Sequence, residues 1–371
     1  MDVDWLASED GRAAIAALRD VDPLRARSLH PHLSAQQVAD ALVQAQHRPP
    51  HFPLPLVTTE GVQQASPAQV AERRAARVAA SGTATIIDAG CGIGVDAWAF
   101  AHAGLQVIAY ETHPDTLAVA RRNLAGLDVD VRHADVTTVD LPPGVALYVD
   151  PARRLEHRQA DGRAIRPHDP QLWRPPWDWV LQQAQQRPVV ARIRPGHRGL
   201  PDGVEWHCSS ISHRLVDATV WFPPLAQSPR RATVATGTQV HELTGSQVAP
   251  VIGPVARFII DPDPAIVRAG LVAHAAGAAG GHLLDEHLAF ITTEVLPQAW
   301  LGRCMEVLEP VALKRAAAVC RRLGLPSATL WARGFERPPR LSMAQGQEGV
   351  VVAARVGSKR RTHAWVGRRV H

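Results

Sequence analysis

Lysine is almost missing from this chain: of 40 basic side chains only Lys314 and Lys359 are lysines, and the rest are arginines. Beside abundant alanine, such a skew points to a GC-rich genome more than to a function. Cysteine is also scarce. Cys91, Cys208, Cys304 and Cys320 stand far apart with no CxxC pair, which argues against a structural zinc site and a disulfide framework. No apolar stretch approaches the roughly 20 residues of a membrane helix, so no membrane partner is expected. The start, Met1-Asp2-Val3-Asp4-Trp5, lacks the basic and then apolar pattern of a secretory leader. The 18 histidines supply no metal-ligating set, and no metal is expected. These absences leave a cytoplasmic protein as the plain expectation. Against 40 basic residues stand 35 acidic ones, a net charge of +5 that biases the surface only mildly toward polyanions.

The 371 residues predict more than one domain. Residues 1–60 read as a helical segment, with Trp5, Leu6, Ile15 and Leu18 on one face and Ser34 able to cap a helix. Pro49, Pro50, Pro53 and Pro55 then break the pattern. Ser66-Pro67 restarts a helix, with Ser66 as its cap. From Thr83 the chain alternates strand and helix: strands over 85–88, 105–110, 129–132, 145–149 and 189–193, with helices between. Short links between alternating elements predict an open, mostly parallel sheet covered on both faces, a doubly wound α/β core over 61–245. The region 246–298 reads as a small ferredoxin-like linking piece. The last segment, 299–371, reads as strand, helix and strand closed by a hairpin at Gly357-Ser358-Lys359.

The chemistry concentrates where strands end. Asp88-Ala89-Gly90-Cys91-Gly92-Ile93-Gly94-Val95-Asp96 sits between the first strand and its helix. Glycines there let the backbone approach a ligand and adopt turns closed to residues with a Cβ, and the helix start presents unpaired N–H groups. A dinucleotide site uses GxGxxG; here the spacing is GxGxG behind an acid, the form expected to wrap the methionine end of S-adenosylmethionine (SAM). Glu111 ends the second strand about 20 residues past the glycines, where a carboxylate holds ribose hydroxyls. Asp135, after the third strand, can accept from an adenine amine. The fourth strand ends in Asp150-Pro151-Ala152-Arg153-Arg154. A carboxylate and its neighbouring carbonyl can orient an amine for in-line methyl transfer, and Pro151 stiffens the corner. Arg153 can stack on a base or hold a phosphate. Trp173, Trp177 and Trp179 read as core, and Cys91 as packing.

Taken together, these strings resemble a bacterial family, the class I SAM-dependent methyltransferases with a C-terminal THUMP-like domain. The likeness is carried by Glu60-Gly61-Val62-Gln63-Gln64-Ala65-Ser66, Asp88–Asp96, Val149–Arg154, Asp261-Pro262-Asp263-Pro264-Ala265-Ile266-Val267-Arg268-Ala269-Gly270 and Leu313-Lys314-Arg315. The resemblance implies a Rossmann-like core, a SAM pocket bordered by Gln64 and Ser66, and an RNA substrate, tRNA or rRNA, methylated on a base nitrogen. In that reading Gln64, Asp88, Gly90, Gly92, Gly94, Asp96, Glu111 and Asp135 hold the cofactor, while Asp150, Pro151 and Arg153 serve the reaction. Arg355, Lys359, Arg360, Arg361, Arg368 and Arg369 could neutralise phosphates or form a solvated tail. A protein or small-molecule acceptor, or a non-catalytic RNA-binding protein, are the alternatives.

Overall fold

The structure, a computed structural model of the 371-residue chain, describes residues 1–152, 170–197, 199–358 and 360–371. Arg153, Arg154 and Lys359, singled out above, lie outside the described residues. The chain divides into two compact units: Met1–Ile193 with Thr219–Ala226, and Arg194–Ala218 with Gln227–His371.

The first unit opens with four helices, α1 (Val3–Ala7), α2 (Glu9–Ala17), α3 (Pro23–Leu29) and α4 (Ala35–His47). The side chains of Asp2, Ser8, Asp22 and Ser34 accept from otherwise unpaired N–H groups at the helix starts, and Ser34 forms a capping box with Gln37. Leu6, Leu18 and Val38 join one core with Ile86, Phe100 and Tyr148. The proline-rich run beyond α4 forms no helix or strand. It is fastened by Asn123, whose Oδ1 accepts from Leu56 N while Nδ2 donates to Leu56 O and Ile93 O, each at 2.9 Å. Next come α5 (Thr59–Gln64) and α6 (Ala68–Ala80). Ser66 is not the cap of α6: Pro67 takes the N-cap position without a side-chain bond. Ser66 is buried and accepts from Arg74 Nη1 at 3.3 Å.

The core follows the expected alternation: β1 (Thr85–Ala89), α7 (Val95–His102), β2 (Gln106–Glu111), α8 (Pro114–Asn123), β3 (Val129–His133), β4 (Ala146–Val149), α9 (Trp177–Ala184) and β5 (Val189–Arg192). These strands pair in parallel in the order β3-β2-β1-β4-β5. After β6 (Glu205–Ile211), in the second unit, comes β7 (Arg214–Trp221). Its end from Thr219 belongs to the first unit and pairs antiparallel with β5. The order turns back between β1 and β4, so their carboxyl ends open a crevice, where such sheets bind ligands. Trp173 and Trp177 are buried core, as expected, meeting edge to face at 6.1 Å.

In the second unit β8 (Arg230–Thr236) lies parallel to β6 and antiparallel to β9 (Gln239–Gly245). The remainder comprises β10 (Phe258–Pro262), α10 (Pro264–Ala269), α11 (Val272–Ala278), β11 (His282–Asp285), β12 (Leu288–Thr293), β13 (Gly302–Val311), α12 (Ala316–Arg322), β14 (Ser327–Arg333), β15 (Ala344–Val356) and β16 (Arg361–Arg369). Its seven-stranded sheet runs β11-β12-β10-β13-β16-β15-β14. One difference from the expected boundaries follows. Residues 246–298 and 299–371 share this sheet, because β10 pairs with both β12 and β13. β8 and β9, the last strands within the expected 61–245 core, fall in the second unit. The helix expected over 311–323 is shorter: Val311 still belongs to β13, and a 3-10 turn at Leu313–Arg315 precedes α12. The closing hairpin is present as β15 and β16. Among the described residues no helix is long and apolar enough to cross a membrane.

Removing the Asn123 side chain would strand the amide and carbonyl of Leu56 and the carbonyl of Ile93. Asn123→Ala should lower the unfolding free energy by about 2–3 kcal/mol in urea titration. A change under ~0.5 kcal/mol would show that the fastening is dispensable.

Candidate active site

Strand register brings the expected site residues to one edge of the sheet. Ala89 lies opposite Tyr110 on β2 and opposite Val149 on β4, so Glu111 and Asp150, each one residue further on, flank the turn that follows β1. Glu111 pairs with His133, two residues before Asp135. Gly90, Gly92 and Gly94 have φ of 89°, 55° and 97°, the left-handed region that disfavours side chains. A Cβ built on Gly92 would meet nothing within 4 Å, and one on Gly90 only the Asp150 carbonyl oxygen at 3.8 Å. The turn thus presents bare backbone to an open cradle.

Its shape is fixed from β2. The amides of Gly90 and Cys91 donate to the Tyr110 carbonyl at 3.0 and 2.9 Å, and Gly92 N donates to Glu111 Oε2 at 3.1 Å. Glu111 Oε1 accepts from the amides of Thr112 and His113, both at 2.8 Å. The carboxylate expected to take ribose hydroxyls is thereby locked in one orientation. Asp135 is exposed and caps a 3-10 turn, Oδ1 accepting from Thr137 N at 2.9 Å. Cys91 is buried, and burial raises its thiol well above the usual range, so it is packing and no nucleophile.

Two arginines that sequence reasoning missed organise the acids. Arg74 of α6, only 3% exposed, forms a buried ion pair with Asp96, donates to Ser66 and stacks 4.6 Å from the Tyr148 ring centre. Asp96, expected to hold cofactor, is therefore engaged by Arg74. Arg192, the last residue of β5, donates from Nη1 to Asp150 Oδ2 at 2.8 Å and to the Gln64 carbonyl at 2.9 Å. Gln64 thus meets the site through its backbone, while its side chain is exposed. Pro151 is buried beside Asp150. Neither arginine stands in a recognisable motif; the one available signal is a guanidinium on an otherwise apolar helix face or strand end. Next to Gln64, the residues Ala65 and Ser66 line a cavity of about 290 Å³ together with His51, Phe52 and Val62.

The cluster holds four carboxylates, Asp88, Asp96, Glu111 and Asp150, against the guanidiniums of Arg74 and Arg192. Asp88 is 1% exposed, and among the described residues neither of its oxygens has a hydrogen-bond partner. Burial, then the charges of Asp96 and Asp150, raise its carboxyl well above the usual carboxylate range, Arg74 opposing and Glu111 adding. Burial likewise raises Asp96, opposed by Arg74 and Arg192. An unpartnered buried acid beside a bare glycine turn suits a ligand bearing positive charge and N–H donors. SAM, with its ammonium and sulfonium, has both, and the residues fit it: the glycines for its methionine end, Asp88 for the ammonium and Glu111 for the ribose.

Fold and site together define a class I, Rossmann-like methyltransferase core. A family described as a methyltransferase domain matches residues 86–165. Two curated relatives from Mycobacterium tuberculosis, strains CDC 1551 and H37Rv, are both described as uncharacterized SAM-dependent methyltransferases. Each is 31% identical over 325 residues, covering 83% of this chain and 87% of theirs. A candidate methyltransferase from Porphyromonas gingivalis W83 has the same fold, with 16% identity, a TM-score of 0.67, and coverage of 97% of this chain and 98% of its own. The chain belongs to the SAM-dependent methyltransferases. It is an enzyme with SAM as its cofactor.

The raised Asp88 carboxyl fixes a sign. Its folded pKa lies above the unfolded one, so its contribution to stability is whole below the ordinary carboxylate pKa and is lost as pH rises through the folded value. In thermal melts without cofactor, Asp88→Asn should therefore melt higher than the parent at about pH 8 and show a shallower decline from about pH 5. By calorimetry the same variant should bind SAM at least ~10-fold more weakly, having lost the carboxylate that would meet the ammonium. Unchanged SAM affinity would remove Asp88 from the pocket. Gly92→Ala places a side chain in the cradle at positive φ. It should cost about 1–2 kcal/mol of stability and abolish measurable SAM binding.

Proposed function

We propose that this methyltransferase modifies a base nitrogen in structured RNA, tRNA or rRNA, and that its C-terminal region is a THUMP-like module for RNA capture. The observation carrying the reading is the proximity of the Asp150-Pro151 corner to the glycine turn, with the Asp150 carbonyl 3.8 Å from the position a Gly90 side chain would take. SAM supplies an electrophilic methyl on its sulfonium. Little else is required of the protein beyond aiming an acceptor lone pair along that bond. The Asp150 carbonyl and carboxylate are hydrogen-bond acceptors, suited to an exocyclic or ring N–H whose lone pair must be oriented. Arg192 holds the carboxylate to one rotamer, and buried Pro151 stiffens the backbone behind it.

The choice of RNA rests on the resemblance to THUMP-containing enzymes and on the arginine-rich C-terminus, Arg355, Arg360, Arg361, Arg368 and Arg369 among them. Arg153, outside the described residues, is the candidate to stack on the base or hold a phosphate.

Purified protein, labelled SAM and total RNA from cells lacking the gene should place label in one RNA species. Asp150→Ala should reduce the rate about 100-fold, and Arg192→Gln about 10- to 100-fold with SAM affinity retained, as expected when a positioned group loosens by an ångström. Label recovered only in protein or small molecules would end the RNA assignment while leaving the methyltransferase intact.

A further inference from the structure

The DPDPAIVRAG string that contributed to the family likeness begins with Asp261, a residue with no part in the site above. Asp261 is the penultimate residue of β10 in the second unit and is nearly buried, with 9% of its side chain exposed. Two arginines converge on it. Arg303 of β13 donates to Oδ2, and Arg333 of β14 donates to Oδ1 through Nη2 at 2.6 Å and Nε at 3.1 Å. A third stands nearby. Asp261 lies opposite Arg303, and Met305, two residues along the same strand, lies opposite Arg369 of β16. Strand alternation puts Asp261, Arg303 and Arg369 on one face of the sheet. Both Arg303 and Arg369 lean on the Trp331 indole, their Cζ atoms 5.0 and 5.9 Å from its centre, and Arg333 stacks on Phe290 at 5.3 Å.

Charge and hydrogen bonding here are incomplete. Two guanidiniums meet one carboxylate, and a third, Arg369, stands on the same face. The next carboxylate along the chain, Asp263, is already engaged by Ser210 and Ala265 N at Oδ1 and by His213 at Oδ2. Among the described residues Arg369 pairs with no acid, and its Nε is buried without an acceptor. Trp331, 3% exposed, carries a second buried donor without a partner, its Nε1. Burial and the positive charge of Arg303 both lower the pKa of Arg369.

We propose that Arg303, Arg333 and Arg369, set on Trp331 and braced by Asp261, form a phosphate-binding site in the second unit. Guanidinium forks match the oxygens of a phosphate in paired, charge-assisted hydrogen bonds. Asp261 is the brace that holds two of the forks in fixed orientation, and two positive charges remain for a dianion. The ligand is a phosphate group, carried by a free nucleotide or by a nucleic-acid backbone. The site stands independently of the RNA assignment above.

The test uses the full chain with its SAM pocket saturated by excess SAM, and four probes: inorganic phosphate, AMP, adenosine and a short single-stranded RNA. Phosphate and at least one of AMP and the RNA should bind saturably by calorimetry and raise the melting temperature; adenosine should do neither. Tighter binding of AMP would identify a free nucleotide as the source, and tighter binding of the RNA a backbone phosphate. Arg369→Met keeps the apolar stem and should weaken phosphate at least ~10-fold. Without phosphate it should melt no lower than the parent, since it removes a half-buried charge repelled by Arg303. Arg303→Gln, at a side chain 45% exposed, provides an independent variant with the same expected loss. Absence of saturable phosphate binding, phosphate affinity unchanged from the parent in both variants, or adenosine binding as well as AMP would overturn the proposal.

Discussion

The first unit is organised by a surplus of buried negative charge. Among the described residues, four carboxyl groups crowd the carboxyl edge of its parallel sheet with two guanidiniums to answer them, and one, Asp88, has no hydrogen-bond partner. Burying a lone carboxylate costs several kcal/mol, so the arrangement persists only because the surrounding core fixes it. The two guanidiniums are structural ties as well as counter-charges. Arg74 joins α6 to the start of α7 and to the ring of Tyr148 on β4. Arg192 joins the end of β5 to the corner after β4 and to the carbonyl ending α5. The same contacts that neutralise part of the charge therefore set the walls of the crevice. The part left over suits a cationic cofactor.

The scarcity of lysine acquires a structural meaning in this light. Arg74 on Tyr148, Arg77 on Trp221, Arg303 on Trp331 and Arg333 on Phe290 are flat cations packed against aromatic faces. A lysine ammonium, a compact and strongly hydrated charge, could not be packed in this way at similar cost. An arginine-rich, lysine-poor composition has supplied side chains that serve as both charge and core.

What the sequence made legible was local. The glycine turn, Glu111, Asp135 and Asp150 are each announced by punctuation at the end of a β-branched run, and the register of neighbouring strands gathers them at one edge. What it hid was non-local. Arg74 looks like one of several solvated arginines on an amphipathic helix, yet the fold buries it; Ser66, with a proline after it, looks like a cap until Arg74 claims its hydroxyl. Asn123 has no motif to mark it, since its three partners lie 30 and 67 residues away. The strand β9 was missed because its seven residues, Gln239–Gly245, alternate between half-exposed and exposed rather than buried and exposed. The division drawn at residue 298 failed to anticipate that β10 would pair on both sides, a fact of pairing that no local pattern encodes.

The return of residues Thr219–Ala226 to the first unit has a bearing on how the chain is made. Before that octet leaves the ribosome, Arg194–Ala218 has already emerged, and the first unit still lacks the antiparallel neighbour of β5. It also lacks Trp221 and Phe222, which are buried, and the Leu225 carbonyl that Arg77 grips at 2.9 Å. Until then Val190 and Ala191 present an open hydrogen-bonding rim of the kind that recruits stray strands. The two units are consequently interleaved in time, and no single cut in the chain yields the methyltransferase core alone and whole.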